Sequence, residues 1–436
     1  MKKNNYNTSS KSELEKLIKS YDRFVPYQFL NLLGKRNITD VRLGDHIEKK
    51  LTILFSDIRD FTYISESLTP KENFNFINSY LDQMDTIISD HNGIIDKFIG
   101  DGIMAIFPTS ADDALTCSIL MLKQLDQFNG IRKKVGLNPV RIGIGLNTGL
   151  CILGTVGGLN RMESTVISDA VNLASRLENL TKNYGVPLLI SENTINNLHD
   201  VSKYSIRFID RVIIKGKVQP QSIYEIFDND PVKVRKLKIK TKTLFEEALA
   251  HYHYKKIDVA KELLEKCIKI NPDDKPAKVY LERCETFFKN GFHEGARELN
   301  QQLEWCSDFE VGNVEIDKQH FELISHSVKL LHSIDRELSK SEIESLIAFL
   351  DKYVIEHFKT EEKFLSKIHY PFLKEQRRQH LNFIKSFKLL KEEIRVRKIN
   401  KTYLKFRIQI LLIDWVVSHT LKEDKHYGRY FMNLNQ

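Results

Sequence analysis

No apolar run in the 436-residue sequence approaches the length of about eighteen residues that a bilayer span requires. The opening MKKNNYNTSSKSELEK holds no apolar signal region either, so a cytoplasmic protein without a membrane span is expected. Cysteine is sparse. Cys117, Cys151, Cys267, Cys284 and Cys306 lack CxxC spacing, which argues against a zinc site or a disulfide frame and for reduced thiols. A dominant charge is also missing: 66 Lys+Arg stand against 58 Asp+Glu, a net +8 spread along the chain. The one basic run, 233–242, reads as a solvated linker, and no nucleic-acid partner is expected. Hydrophobic content of 42% supports ordinary cores, and the length allows about two to four domains.

Two stretches organise what is present. In 51–62, LTILFSDIRDFT, a buried-strand pattern ends on Asp57. In 94–107, IIDKFIGDGIMAIF, two short apolar runs flank Gly100-Asp101-Gly102, a hairpin signal that sets Asp101 at the tip. Carboxylates on neighbouring strand ends suit a pair of divalent cations on a triphosphate. Either acid alone would read as a turn residue.

With FSDI and KFIGDG come RIGIGLNTG, TVISDAVNLASRLE and IKGK, in that order over residues 45–228. The set resembles the catalytic domain of class III nucleotide cyclases, adenylate and guanylate. The resemblance implies an α+β ferredoxin-like fold and attack of a ribose 3′-hydroxyl on the α-phosphorus of a nucleoside triphosphate, with loss of pyrophosphate. It implies that Asp57, Asp101 and the Ile58 carbonyl hold two Mg2+ or Mn2+ ions. One would lower the pKa of the 3′-hydroxyl and the other would neutralise the triphosphate. Arg141 matches a pyrophosphate contact, Lys215 a triphosphate contact, and Asn172 with Arg176 the pair that orients ribose and stabilises the transition state. Without the resemblance Arg141 is a surface arginine, and Asn172 and Arg176 are ordinary residues four apart on one helical face.

Base choice follows from hydrogen-bond inventory. Adenine offers an acceptor at N1 and a donor amino group at C6; guanine offers the reverse. Lys97 can only donate and suits adenine N1, and the Thr165 hydroxyl can accept from the amino group. The Lys/Thr pair resembles bacterial adenylate cyclases and makes ATP the expected substrate. In the family, metal acids and base-binding residues of one site come from different chains. This chain carries both sets, so a homodimer with shared sites is expected. Asn147 and Ser168 depart from a common His and Gly without touching a named role.

Periodicity predicts helices over 70–90 (apolar side Phe74, Ile77, Tyr80, Leu81, Met84, Ile87, Ile88), 111–128 and 169–184. It also predicts a strand over 140–146 ended by an Asn147-Thr148-Gly149 turn before a second strand. A mixed sheet with helices on one face is expected. Residues 1–44, with RFVP and LGD pieces, resemble the helical segment that precedes many bacterial cyclase domains and helps pair two chains. Residues 229–300 hold the basic linker and helices resembling one tetratricopeptide unit, carried by Ala248, Tyr252, Ala260, Leu264, Pro272, Ala277 and Tyr280.

Residues 301–436 show four helical patterns with short connections, the signature of an all-α four-helix bundle. His320, His357, Glu361, His380, His419 and Asp424 are spread over all four, with His357 and Glu361 at i and i+4. Inward His and carboxylate from every helix suit a di-iron centre. The region resembles a bacterial hemerythrin domain. That implies two non-haem irons with an oxo or hydroxo bridge. His320 and His357 would bind one, His380 and His419 the other, and Glu361 with Asp424 would bridge them. Gln376 stands where the family has a fifth histidine; either one iron keeps an open position or the amide ligates weakly. O2 or another small diatomic is the expected partner. The reading is an adenylate cyclase regulated by oxygen or redox state. The alternatives are a slow or silent nucleotide-binding dimer, or an enzyme whose bundle only stores iron or oxygen.

Overall fold

The computed structural model describes residues 27–158, 161–213, 220–291, 305–335, 340–396 and 400–434. Lys215 and the RFVP segment lie outside them. Two compact units divide the chain between Leu180 and Thr181.

The first unit begins with a short helix, α1 (Tyr27–Leu32), then β1 (His46–Ile58). A turn helix α2 (Phe61–Glu66) leads to α3 (Pro70–Asp90). Pro70 opens α3 and Thr69 caps it, accepting from Glu72 N while the Glu72 carboxylate reaches back. Its buried stripe is Phe76, Tyr80, Met84 and Ile88, four apart; the expected Phe74 is 68% exposed because it stands off that line. The hairpin β2 (Ile94–Ile99) and β3 (Gly102–Phe107) closes where the sequence signal placed it, with Gly100 at φ 63°. Helix α4 (Ala111–Lys134) runs six residues beyond its expected end.

The largest departure is β4 (Ile142–Gly158), one strand of 17 residues where a turn was expected at Asn147-Thr148-Gly149. It stays straight because all three pair with β1: Asn147 with Ile53, Thr148 with Thr52, Gly149 with Leu51. The turn-forming side chains are consumed locally. Asn147 Nδ2 donates to Ala170 O, and the Thr52 and Thr148 hydroxyls meet at 2.9 Å. A Cβ on Gly149 would stand 2.7 Å from Ala170 Cβ, so glycine here serves close approach rather than a turn. Strand β5 (Arg161–Ile167) then pairs with β4, and β1 lies antiparallel to both β3 and β4. Helix α5 (Asp169–Tyr184) follows.

The second unit holds β6 (Leu188–Ser191), a turn helix α6 (Glu192–Asn196), β7 (Ile206–Ile213) and β8 (Pro220–Ile226), with β8 antiparallel to β6 and β7. Next come α7 (Val232–His253), α8 (Ile257–Ile270) and α9 (Lys275–Asn290). The basic run is helical rather than a linker, with Lys233, Lys236 and Lys240 exposed. It is the first half of α7, and Lys238 is buried between Glu225 (2.6 Å) and Asp230 (2.5 Å). The fully buried Arg207 of β7 bonds the Asp274 carboxylate through both Nη1 (2.7 Å) and Nη2 (2.9 Å) and adds Glu225 through Nε. The helices are thereby clamped onto the strands.

The C-terminal region is helical: α10 (Val314–Asp335), α11 (Lys340–Lys367), α12 (Leu373–Val396) and a last stretch, residues 401–434. That stretch is α-helical at Lys401–Ile408, Trp415–His419 and Lys425–Leu434, with π-helical turns at Gln409–Asp414 and Thr420–Asp424. Its core includes Leu330, Leu350, Phe387 and Leu412. Among the described residues no helix is long and apolar enough to cross a membrane, and all five cysteines are free thiols.

Candidate active site and candidate metal centre

Asp57 closes β1, and Asp101 occupies the tip of the neighbouring hairpin, where it accepts from Ile58 N–H at 3.2 Å. Burial and then the Asp57 charge push the Asp101 carboxyl up to about 6. Two carboxylates this close, with Asp101 raised by its neighbour's charge, are a natural cation site, so the donor set fits divalent ions. Gly102 permits the approach: a Cβ there would stand 3.2 Å from Asp57 Oδ1. Arg59 anchors the end of β1 to α5 through Glu178, by an ion pair at 3.0 Å and a bond to its carbonyl at 3.1 Å. Arg141 pairs with Asp60 at 2.9 Å and is 67% exposed, open to an anionic ligand.

Lys97 and Asp101 share one hairpin but face different neighbours. Asp101 turns to β1, whereas Lys97 Nζ donates to Thr165 Oγ1 on β5 at 3.0 Å. The structure thus joins the two residues singled out for base recognition. Asn172 and Arg176 lie on α5, and Asn172 lines an open groove of about 570 Å3 with Glu48, Leu150, Ile167 and Asp169. None of Asp57, Lys97 and Asp101 is among the residues lining that groove. Ser168 Oγ accepts from Ala170 N at 3.0 Å and donates to Leu150 O at 2.6 Å, tying the start of α5 to β4.

In the bundle, His320, His357, Glu361, His380, His419 and Asp424 are all buried and converge. Ligand atoms of His320, His357 and Glu361, and again of Glu361, His380 and His419, lie within 4.8 Å of one another. His320 Nδ1 and Nε2, Glu361 Oε2 and Asp424 Oδ2 are buried without a hydrogen-bond partner. Orphaned acceptors and imidazoles at one point are what a bound cation would satisfy, so these residues fit iron. Burial and then Asp424 push the Glu361 carboxyl up to about 8. For Asp424 burial acts upward too, but His419 and His320 pull it below the usual carboxylate range.

His419 and Asp424 are five apart, a spacing that an α-helix sends to different faces. The π-helical turn Thr420–Asp424 puts them on one face, with Nε2 and Oδ1 at 3.2 Å. Gln376 points into the cluster: its Nε2 lies 2.7 Å from Glu361 Oε1, 2.7 Å from Asp424 Oδ1 and 3.0 Å from His419 Nε2.

Three further residues orient the metal-facing histidines, and two of them, Gln319 and Gln379, carry no sequence signal. Gln319 Oε1 meets His357 Nδ1 at 3.1 Å, Gln379 Oε1 meets His419 Nδ1 at 3.0 Å, and Glu362 Oε1 meets His380 Nδ1 at 2.9 Å. Each acceptor holds the proton on Nδ1 and leaves Nε2 free to ligate. Glu362, next to the expected bridging Glu361, is thereby an orienting group. Gln319 and Gln379 precede His320 and His380 but serve histidines on other helices, so no spacing signal could have found them.

The family model "Adenylate and Guanylate cyclase catalytic domain" matches residues 45–228, and "Hemerythrin HHE cation binding domain" matches 312–431. An adenylate cyclase of Anabaena cylindrica is 44% identical over 221 residues, which is 49% of this chain and 44% of that protein. The terminal-differentiation specific adenylate cyclase of Dictyostelium discoideum is 39% identical over 280 residues, 62% of this chain and 13% of the relative. The chain therefore spans less than half the length of these curated relatives. Among solved structures, the adenylyl cyclase CyaB from P. aeruginosa is 35% identical, with 42% of this chain and 96% of that one covered and a TM-score of 0.39. Residues 45–228 are a member of the adenylate and guanylate cyclase catalytic domain family, and residues 312–431 are a member of the hemerythrin HHE cation-binding domain family.

Proposed function

We propose that this chain is an adenylate cyclase that converts ATP to cyclic AMP and pyrophosphate and is regulated by oxygen or redox state at its iron-binding bundle. The observation that carries the substrate is the Lys97–Thr165 pair, a donor-only ammonium beside a hydroxyl that can accept, matched to N1 and the amino group of adenine. Asp57, Asp101 and the Ile58 carbonyl would hold divalent ions, which would supply Lewis-acid charge neutralisation at the 3′-hydroxyl and triphosphate. Arg141 and Lys215 bind the phosphates. Asn172 orients the ribose, and Arg176 meets the charge that develops on the α-phosphoryl oxygens. The new 3′-O–P bond forms as the α–β bridging P–O bond breaks, the electron pair of that bond goes to pyrophosphate, and the hydroxyl proton passes to solvent water. A homodimer fits this residue set, because each site would then take its metal acids Asp57 and Asp101 from one chain and its base contacts Lys97 and Thr165 from the other.

Regulation is supported by direct contacts within the second unit. Arg211 of β7 pairs with Asp414 at 2.7 Å, Asn382 donates to Leu198 O at 2.6 Å, and Lys422 donates to Gln221 Oε1 at 2.8 Å. The last two helices of the bundle, which carry His380, His419 and Asp424, therefore reach the catalytic domain directly, the last one at β7 and β8 and α12 at Leu198 beyond α6. The tetratricopeptide-like helices α7–α9 add a second route.

The test is cyclic AMP formation by iron-loaded full-length protein, first anaerobic and reduced, then after air is admitted. A rate change that disappears in His357→Ala establishes both parts. Equal, robust rates leave the enzyme and reduce the bundle to a store. No product from ATP in either state supports a nucleotide-binding dimer instead.

A further inference from the structure

Strand β2 carries an irregularity that the cyclase chemistry above does not use. Ile95 pairs with Ala105 and Lys97 with Met104, so Asp96 is an extra residue without a cross-strand partner. A bulge of this kind re-aims the side chains beside it. Here it brings two consecutive side chains together: Asp96 Oδ2 lies 3.4 Å from Lys97 Nζ, with the Asp96 side chain 1% exposed and that of Lys97 34% exposed. Neither Asp96 oxygen closes a hydrogen bond of normal geometry. Burial, and to a lesser degree Glu163, pushes the Asp96 carboxyl above its usual value, while Lys97 and the Thr165 hydroxyl pull it back toward the charged form. A buried carboxylate left as a spare acceptor is costly to a fold, and such groups call for an explanation.

We propose that Asp96 is a positioning residue for purine recognition, setting the donor and acceptor roles of Lys97 and Thr165 so that a 6-amino purine nucleotide is taken over a 6-oxo one. The inference rests on the reading of Lys97 and Thr165 as the base contacts. An ammonium has three donors. One faces Asp96 and one reaches Thr165 Oγ1, which leaves the third for a purine ring acceptor. Thr165 has one proton and two lone pairs. When Asp96 is ionised, the Thr165 hydroxyl is one of the groups that stabilise its charge, which favours a proton turned toward Asp96. One lone pair receives Lys97 and the other remains for an amino group. A 6-oxo purine offers its ring N–H to a cation and its carbonyl to a lone pair, and both contacts repel. Asparagine at position 96 can donate to Thr165 and removes the charge that holds Lys97.

The experiment compares kcat and KM for ATP and GTP in full-length wild-type, Asp96→Asn, Asp96→Ser and Lys97→Met proteins. Both Asp96 variants are expected to lose about tenfold in the ATP:GTP ratio of kcat/KM, chiefly through KM for ATP. The ratio is taken on one preparation, so partial unfolding cancels. Adding Asp96→Asn to Lys97→Met is expected to cost nothing more. An unchanged ratio in both Asp96 variants, with Lys97→Met impaired, overturns this inference alone. An unchanged ratio in Lys97→Met overturns the base-contact reading and this inference with it. A loss from Asp96→Asn that is equal with and without Lys97 also overturns it, because Asp96 would then act through packing.

Discussion

Arg211 of β7 and Asp414 of the last bundle helix form an ion pair at 2.7 Å, and Asp414 sits at the end of a π-helical turn five residues before His419. Gln409 Nε2 holds the other Asp414 oxygen at 2.9 Å. A shift of His419 on changing the iron state would move this pair. Asp414→Asn is expected to shrink the difference between the reduced and air-exposed cyclic AMP rates while the iron content stays at its wild-type value. Breaking one partner of a buried pair also costs about 3–5 kcal/mol, visible as a lower Tm. An undiminished rate difference in folded Asp414→Asn protein places the route elsewhere.

Shared sites have a direct signature. Asp101→Ala and Arg176→Ala are each expected to lower kcat by about 100-fold or more, since each removes charge stabilisation from the reacting phosphate. Mixed after dissociation, they should recover about a quarter of wild-type activity, because half of random dimers are mixed and each has one intact site of two. No recovery, with mixed dimers confirmed by native mass spectrometry, means each chain builds its own site.

Gln376 takes the place of a histidine yet reaches Glu361 and Asp424 at 2.7 Å. Gln376→His should change the absorption spectrum of the iron-loaded protein and slow iron loss to a chelator, because imidazole binds iron better than an amide. Identical spectra and release rates would show that the position does not bear on the metals.

The Arg207–Glu225–Asp274 clamp predicts an acid limb. Burial acts upward on Glu225, but Arg207 and then Lys238 bring its carboxyl below the usual 4.5. Its contribution is therefore full above about pH 4.5 and disappears as pH falls through the lower folded value. Urea midpoints between pH 6 and pH 3 should drop steeply in wild type. In Glu225→Gln the slope should be shallower and the protein less stable at pH 7; equal slopes would remove Glu225 from the account.

The sequence by itself determined the strand-end acids, the hairpin at Gly100-Asp101-Gly102, helices α3 and α5 and the histidines of the bundle. These depend on local rules: turn chemistry, capping and the periodicity of apolar residues. It misread Asn147-Thr148-Gly149 as a turn, since turn-type residues in a strand interior are recognisable only once β1 and Ala170 are in place to engage them. It read 233–242 as a solvated linker and so missed the burial of Lys238, which finds Glu225 and Asp230 only after α7 folds back onto β8. The orienting acceptors Gln319, Gln379 and Glu362 were also a tertiary decision, each crossing from one helix to another. So was the π-helical turn that aligns His419 with Asp424. Spacing along a chain specifies what a single helix or strand can present; which donor meets which acceptor is decided by how the elements dock.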